Sequence, residues 1–225
     1  MMKIHWWKVL AIVLLIYVVI AGFLGDVPRQ PILQETIRNL YFHVTMWFSM
    51  FVLAIVSLIY SIIYLLNGSV LADARASAFA KVALLFGLIG IATGMIWVNY
   101  TWNATSGKLV FWVKEDIKLN AAAMGVLIYF VYHVLRTMVE NTEKKGRLAA
   151  VYNIFAFVLL VLFTLVVPRL SASSLHPGNA GNPGFNIYDI DSAMRTVFYP
   201  AVIGWSLLGV WIASLRVRYT LLKIR

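Results

Sequence analysis

The chain contains no cysteine and little charge, and these two deficits narrow the functions it can have. Without cysteine there is no disulfide, no thiolate metal site and no thioether attachment of a cofactor. Charged residues make up 12% of the 225 residues and hydrophobic residues 62%, which is too little polar surface for a soluble domain. The sequence also lacks the GxxxxGK[ST], HExxH and GxSxG motifs, which argues against the common phosphate, zinc and acyl chemistries.

The net charge of +10 could indicate a nucleic-acid partner, but the positions of the cations favour another explanation. Lys and Arg residues gather at the ends of long apolar stretches, where they would face lipid head groups. We therefore predict a membrane protein that does not bind nucleic acid.

Six apolar stretches are long enough to cross a bilayer, since one span needs about 20 residues. They predict an all-α integral membrane protein that forms one six-helix domain over residues 1–225. The first stretch follows two lysines as a signal peptide would, but no small-residue cleavage site is evident, so we predict a retained span. The predicted spans are 4–24, 41–66, 80–98, 119–135, 148–167 and 196–215.

The distribution of positive charge predicts the orientation of the spans. With six spans, both ends of the chain lie on one side, and most of the 19 Lys and Arg residues fall on that side. The fourth connection (RTMVENTEKKGR) and the C-terminal tail (RVRYTLLKIR) carry most of this bias. We predict that both termini are cytoplasmic, so that residues 25–40, a Trp-rich loop at 99–118 and a long loop at 168–195 face outward.

Two histidines fall on the predicted outer side. His43 lies just inside the outer end of the second span, and His176 lies in the last outer loop, within SLHPGNAGNPG. An ionisable residue at the edge of a span is a candidate functional residue, and neutral imidazole is a common ligand of haem iron. A hydrogen-bonded histidine of the membrane interface is the alternative for each residue taken singly.

The loop between the third and fourth spans is unusually aromatic (GMIWVNYTWNATSGKLVFWVKEDIK). Its flat rings suit a porphyrin face, although Trp97 and Tyr100 could simply anchor a helix at the interface. Trp102 and Trp112 lie farther into the loop, where a ligand or partner would have to cover them. Asp116 could belong to the same platform or pair locally with Lys118.

Other polar residues leave two questions open. Several outer cations could meet the propionates of a haem, or could simply be cations of the membrane surface. The outer cations are Arg29, Arg38, Lys108, Lys114, Arg169 and Arg195.

His5 and His133 lie near the opposite ends of their spans. They could in principle hold a second haem, but we do not expect this.

These segments together resemble the cytochrome c maturation protein C (CcmC) family of haem-handling membrane proteins, from about residue 41 to residue 218. IRNLYFHVTMWFSM is similar to the family segment that bears the first haem ligand, and SLHPG to the segment that bears the second. The family also has a Trp-rich WWD motif between spans three and four. Here Asn103 follows Trp102 where glycine is common, and extra residues separate Trp112 from Asp116.

The resemblance implies a function and a set of partners. It implies that His43 and His176 are axial ligands of a noncovalent haem b, and that Trp97, Trp102, Trp112 and Asp116 belong to the platform that holds it. It further implies presentation of the haem to a CcmE-type chaperone, beside ABC-type CcmA and CcmB subunits and a small CcmD-type subunit, at a bacterial inner membrane. Such a protein is a relay of haem and not an enzyme.

Two other functions stay open at this point. A membrane redox protein that passes electrons to or from quinone would hold two haems and use His5 or His133. A transporter that binds no haem would need polar residues along a path in mid-span, and the spans contain few beyond Ser, Thr and Asn.

Overall fold

A computed structural model describes residues 5–29, 33–106, 116–170 and 190–224, and these residues form helices and connections without any strand. Each of six helices is long and apolar enough to cross a membrane, which confirms the predicted number of spans. A 3-10 helix at Gln34–Asn39 leads into the second helix. A π-helical segment at Leu162–Val166 and a 3-10 turn at Val167–Arg169 continue the fifth. The helices are α1 (Trp6–Leu24), α2 (Leu40–Asn67), α3 (Val70–Ser106), α4 (Ile117–Met138), α5 (Thr142–Val161) and α6 (Ser192–Ile224).

Two helices extend well beyond their predicted spans. Helix α3 has 37 residues and α6 has 33, so at 1.5 Å per residue each is about 50 Å or longer, whereas the hydrocarbon core is about 30 Å thick. The first part of α3, VLADARASAFA, is rich in alanine, which favours helix with or without a bilayer around it. The first part of the Trp-rich loop is helical as well, because α3 continues to Ser106.

Helix α2 is the centre of the bundle, with contacts to α3, α5 and α6, while α1 packs on α6 and α4 on α5. Helices α2 and α3 form an antiparallel hairpin through Gly68, whose φ of +65° is the left-handed conformation that ends many helices. The start of α2, the end of α3, the end of α1 and the start of α6 therefore meet at one end of the bundle. We call it the His43 end.

The contact between α2 and α3 depends on glycines. Three of them, Gly87, Gly90 and Gly94, lie on the face of α3 that touches α2, and each receives one α2 side chain. A Cβ built on Gly87 would lie 2.7 Å from Met50 Sδ, and one built on Gly90 would lie 2.9 Å from the Trp47 ring. Small residues let two membrane helices approach closely, and Gly90 and Gly94 form a GxxxG pair.

A buried polar network joins three helices nearer the opposite end. The amide nitrogen of Asn153 in α5 donates to both Ser57 Oγ and Ser61 Oγ in α2, each at 2.8 Å. Ser57 in turn donates to the carbonyl of Ala76 in α3 at 2.7 Å. Such bonds between helices stabilise a bundle in lipid by about 1 kcal/mol each.

An ion pair fixes α3 to α4 at the opposite end. Arg136 makes two parallel hydrogen bonds to the carboxylate of Asp73, each 2.7 Å long, and both side chains are largely buried. The two N–H groups of one guanidinium match the two oxygens of one carboxylate, so the pair also fixes the rotation of α3 against α4.

Asp73→Asn is expected to lower the free energy of unfolding by about 3 kcal/mol, because it leaves the Arg136 charge buried without its carboxylate. Denaturant titration of the purified protein in detergent micelles measures this change. Glu143→Gln is the matched control, since Glu143 pairs with Arg147 at 3.4 Å where both side chains are exposed, and it should have little effect. Equal losses in the two variants would contradict the prediction.

Candidate functional site

His43 lies in the first turn of α2 and is only 9% exposed. Its ring stands between two indoles, with centroids 6.4 Å from Trp47 and 5.8 Å from Trp97, and both contacts are edge to face. The imidazole is therefore buried at the His43 end with indole rings among its neighbours.

The hydrogen bonds of His43 fix its tautomer. Nδ1 lies 2.9 Å from the carbonyl oxygen of Gly90 and 3.1 Å from Thr93 Oγ1. A carbonyl can only accept, and the Thr93 hydroxyl donates toward the carbonyls of Ile89 at 2.8 Å and Gly90 at 3.1 Å. Nδ1 therefore carries the proton, and Nε2 is the basic nitrogen of the ring.

Gly94 determines how closely the imidazole approaches α3. A Cβ built on Gly94 would lie 2.7 Å from Cε1 of His43, 3.3 Å from Nδ1 and 3.6 Å from Nε2. The ring edge that carries both nitrogens thus rests against the α carbon of Gly94. Asn39, one turn before His43, adds a hydrogen bond from its amide nitrogen to the Thr93 carbonyl at 3.2 Å.

Trp97 is buried in the core at the His43 end and is 8% exposed. Its Nε1 donates to Thr36 Oγ1 at 3.1 Å, which ties the end of α3 to the 3-10 helix before α2. Ile190 and Met194 belong to the same apolar cluster, so the start of α6 and the residues just before it lie in the same core as Trp97. Tyr100, one turn later, is exposed.

Asp116 caps the N-terminus of α4 and is 5% exposed. Its Oδ1 accepts hydrogen bonds from the backbone N–H of Lys118 at 2.8 Å and of Leu119 at 3.1 Å. A carboxylate at this position also interacts favourably with the helix dipole. Asp116 thus defines where the Trp-rich loop ends and α4 begins.

The other predicted site residues are described partly or not at all. His176 and Trp112 lie outside the described residues, and Trp102 is described only as part of the backbone of α3. The proposed participation of His176, Trp97, Trp102, Trp112 and Asp116 in haem binding therefore stays a prediction.

Two of the predicted outer cations have local structural roles. Arg38 donates to the backbone carbonyls of Gly22 and Gly25 at the end of α1, and it pairs with Glu35 at 2.7 Å. It satisfies carbonyls that a helix C-terminus leaves without partners. Arg169 donates to the carbonyl of Leu165 within its own turn at 2.9 Å.

The two remaining histidines lie at the opposite end of the bundle. His5 precedes α1, is exposed, and stacks on Trp7 with ring centroids 6.4 Å apart. His133 lies one turn before Arg136, which pairs with Asp73 near the start of α3. Neither histidine is near His43. His5 precedes α1, whereas His133 belongs to α4.

The sequence interpretation missed Gly90, Thr93 and Gly94, which hold His43 in place. The available signal was GIATG, a pair of small residues four apart within an apolar span, a pattern typical of close helix packing. The pattern does not show which side chain of another helix packs against these glycines.

Six apolar helices long enough to cross a membrane, with an imidazole buried beside indoles at one end, define a multi-pass membrane protein of the all-helical class. Over residues 1–225, its whole length, the chain matches the family model described as CcmC, heme exporter protein C. The chain belongs to the CcmC family, whose members handle haem in the membrane during cytochrome c maturation, as the resemblance implied. No curated protein matches the chain.

Proposed function

We propose that this chain binds haem b noncovalently at the His43 end of the bundle and presents it to a haem chaperone. The observation that carries the proposal is the Nδ1 hydrogen bond of His43 to the Gly90 carbonyl. Histidines that ligate metals almost always donate their other ring N–H to a carbonyl, carboxylate or water, which raises the basicity of the ligating nitrogen. His43 has this arrangement, with Nε2 as the nitrogen for iron.

The surroundings of His43 suit a porphyrin. Its imidazole is enclosed by indole rings and apolar side chains, and a low-polarity environment favours noncovalent retention of a flat apolar ring. Haem would be the cargo of the protein, and its iron would bring the capacity to bind two axial ligands. The protein contributes the ligands and the shape of the site.

His176 is proposed as the second axial ligand. In sequence it lies between α5 and α6. Ile190, just before α6, is buried in the same cluster as Trp97. The 14 residues from His176 to Ile190 span at most about 50 Å when extended, so His176 is within reach of the His43 end. We propose that His176 is the ligand that leaves the iron when the cargo is released.

The tryptophans and Asp116 would form the rest of the site. Trp97 contributes a wall beside His43 and is kept in place by Thr36. We propose that Trp102 and Trp112 cover the ring, and that Asp116 fixes the distal end of their loop by capping α4. In this arrangement the loop is attached at both ends to helices of the bundle.

The distribution of positive charge and the family of the chain support a proposed orientation, membrane and set of partners. The excess of Lys and Arg near the chain ends supports cytoplasmic termini and an outward-facing His43 end, in a bacterial inner membrane. Membership of the family supports a CcmE-type chaperone as acceptor, with CcmA, CcmB and CcmD subunits as partners. The protein would transfer haem without making or breaking covalent bonds.

The experiment is haem transfer from the purified chain in lipid nanodiscs to a purified CcmE-type chaperone. We expect about one haem per chain before mixing and movement of the Soret absorbance to the chaperone fraction after size separation. His133→Gln is the control and should bind and transfer haem as the wild type does. A preparation without haem under haem-replete conditions, or one that keeps its haem beside excess chaperone, would contradict the proposal. Two haems per chain would favour the redox function instead.

A further inference from the structure

The half of α3 nearer the His43 end touches α2 through three successive glycines, and at each glycine one α2 side chain fills a position that we call a seat. Gly87 receives Met50, Gly90 receives Trp47, and Gly94 receives His43. In all three seats an added Cβ would come closer than 3.0 Å to the side chain that fills the seat. The seat at Gly94 is the one that holds a potential iron ligand.

We infer that Gly94 is a positioning residue for the haem ligand His43: because Gly94 has no side chain, the imidazole can lie against α3 with Nδ1 on the Gly90 carbonyl. This inference rests on the proposed function, since it concerns how His43 presents Nε2 to iron. The two ring nitrogens point to different sides of an imidazole, so fixing Nδ1 also fixes the direction of Nε2.

The occupants of the seats differ in how they can respond to a new methyl group. At Gly87 the methyl group would touch Met50 at Sδ, near the end of a flexible side chain that can change rotamer at low cost, and Val126 Cγ2 of α4 at 2.9 Å. Neither contact involves a group that could ligate iron in the proposed site. His43 would be touched at Cε1, in the middle of the ring edge that carries both nitrogens. A rigid ring two torsions from the backbone can yield only by turning as a whole, which moves Nδ1 away from Gly90 and redirects Nε2.

Thr93 has a smaller part in the same arrangement. Its hydroxyl oxygen lies 3.1 Å from Nδ1 and accepts part of the His43 hydrogen bond, while the Gly90 carbonyl at 2.9 Å accepts the rest. Acceptors on Nδ1 make Nε2 more basic and stabilise ferric over ferrous iron. Removing one acceptor should therefore raise the reduction potential of the bound haem and leave the iron ligated.

The first test is Gly94→Ala, with Gly87→Ala as the matched control on the same helix face. We expect Gly94→Ala to weaken haem binding by about 10- to 100-fold, the usual cost of disturbing a group that orients a metal ligand. Gly87→Ala should keep wild-type affinity, because its clashes involve Met50 of α2 and Val126 of α4 and not His43. Haem titration followed at the Soret band gives the affinities, and thermal unfolding of the haem-free variants gives their stabilities. Equal loss of haem in both variants, or wild-type affinity in Gly94→Ala, would overturn the inference.

A second test separates ligand positioning from helix packing. In His43→Gly the imidazole is supplied as a free molecule, which is not tied to α2 and can shift by a few tenths of an ångström. Added imidazole should restore the low-spin spectrum equally well in His43→Gly and in His43→Gly with Gly94→Ala. If Gly94→Ala impairs this rescue as strongly as it impairs binding by the intact His43, its effect does not pass through the orientation of His43.

Thr93→Val provides a third test, which can be made even if Gly94→Ala does not fold. We expect one haem per chain, a low-spin spectrum and a more positive reduction potential than in the wild type. An unchanged or more negative potential would contradict the role given to the Nδ1 acceptors. Failure of the inference is distinguishable from failure of the proposed function, because only the latter predicts that His43→Ala keeps the native spectrum.

Discussion

His43→Ala is expected to reduce haem affinity by at least about a hundredfold and to abolish the native Soret band of the purified protein. Loss of a group that merely orients a ligand costs roughly 10- to 100-fold, and here the ligand itself is removed. In the part of the chain that the structure describes, the ring of His43 faces indoles, a glycine and a threonine hydroxyl. The visible spectrum after haem titration measures the effect.

The control for this variant must separate loss of ligation from loss of fold. His43 lies at the α2–α3 contact, so thermal unfolding of the haem-free protein has to be compared with that of the wild type. His133→Gln removes a histidine at the opposite end and should keep both the fold and the Soret band. A native spectrum in His43→Ala would show that another residue ligates the iron.

His176→Ala is expected to change the spectrum from six-coordinate, low-spin haem to a five-coordinate, high-spin form that still holds haem. His43 keeps its hydrogen bond to Gly90 whether or not a second ligand is present, because that bond is made between α2 and α3 alone. We expect the affinity to fall by roughly tenfold, less than for His43→Ala, since the seated ligand remains. Spin state is measured by electron paramagnetic resonance of the ferric protein.

The same variant also tests release of the cargo. With one protein ligand fewer to displace, transfer from His176→Ala to a haem chaperone should be faster than transfer from the wild type, measured by stopped-flow absorbance. Asn179→Ala, in the same connection, is the control and should keep wild-type spectrum and transfer rate. If His176→Ala loses haem as completely as His43→Ala, the two ligands are equivalent and the proposed asymmetry is wrong.

The number of spans follows from the sequence because it depends on composition: a run of about 20 apolar residues has one stable arrangement in lipid. The burial of His43 could not be predicted, because it depends on Trp97 and on the close approach to Gly94, which are distant in sequence. The length of α3 could not be predicted from the hydropathy of the sequence. Hydropathy reports where the bilayer ends, whereas an alanine-rich segment such as 70–80 continues the helix beyond that level.

The local roles of single residues were less predictable. Trp97 has the composition of an interfacial anchor, but its burial depends on Thr36 and on the start of α6, which are distant in sequence. Asp116 caps α4 by accepting backbone N–H groups, a role that the sequence interpretation did not assign; its predicted part in a haem platform or an ion pair stays a prediction. Its place directly before an apolar helical segment was the available signal for a cap.

The continuity of α3 links the two ends of the bundle mechanically. Asp73 and Gly94 belong to one unbroken helix and lie about 30 Å apart along its axis. The Asp73–Arg136 pair holds α3 at one level of the bundle, and the contact between Gly94 and His43 holds it at another. One continuous helix is therefore restrained against rotation at two levels, by charge near one end and by shape near the other.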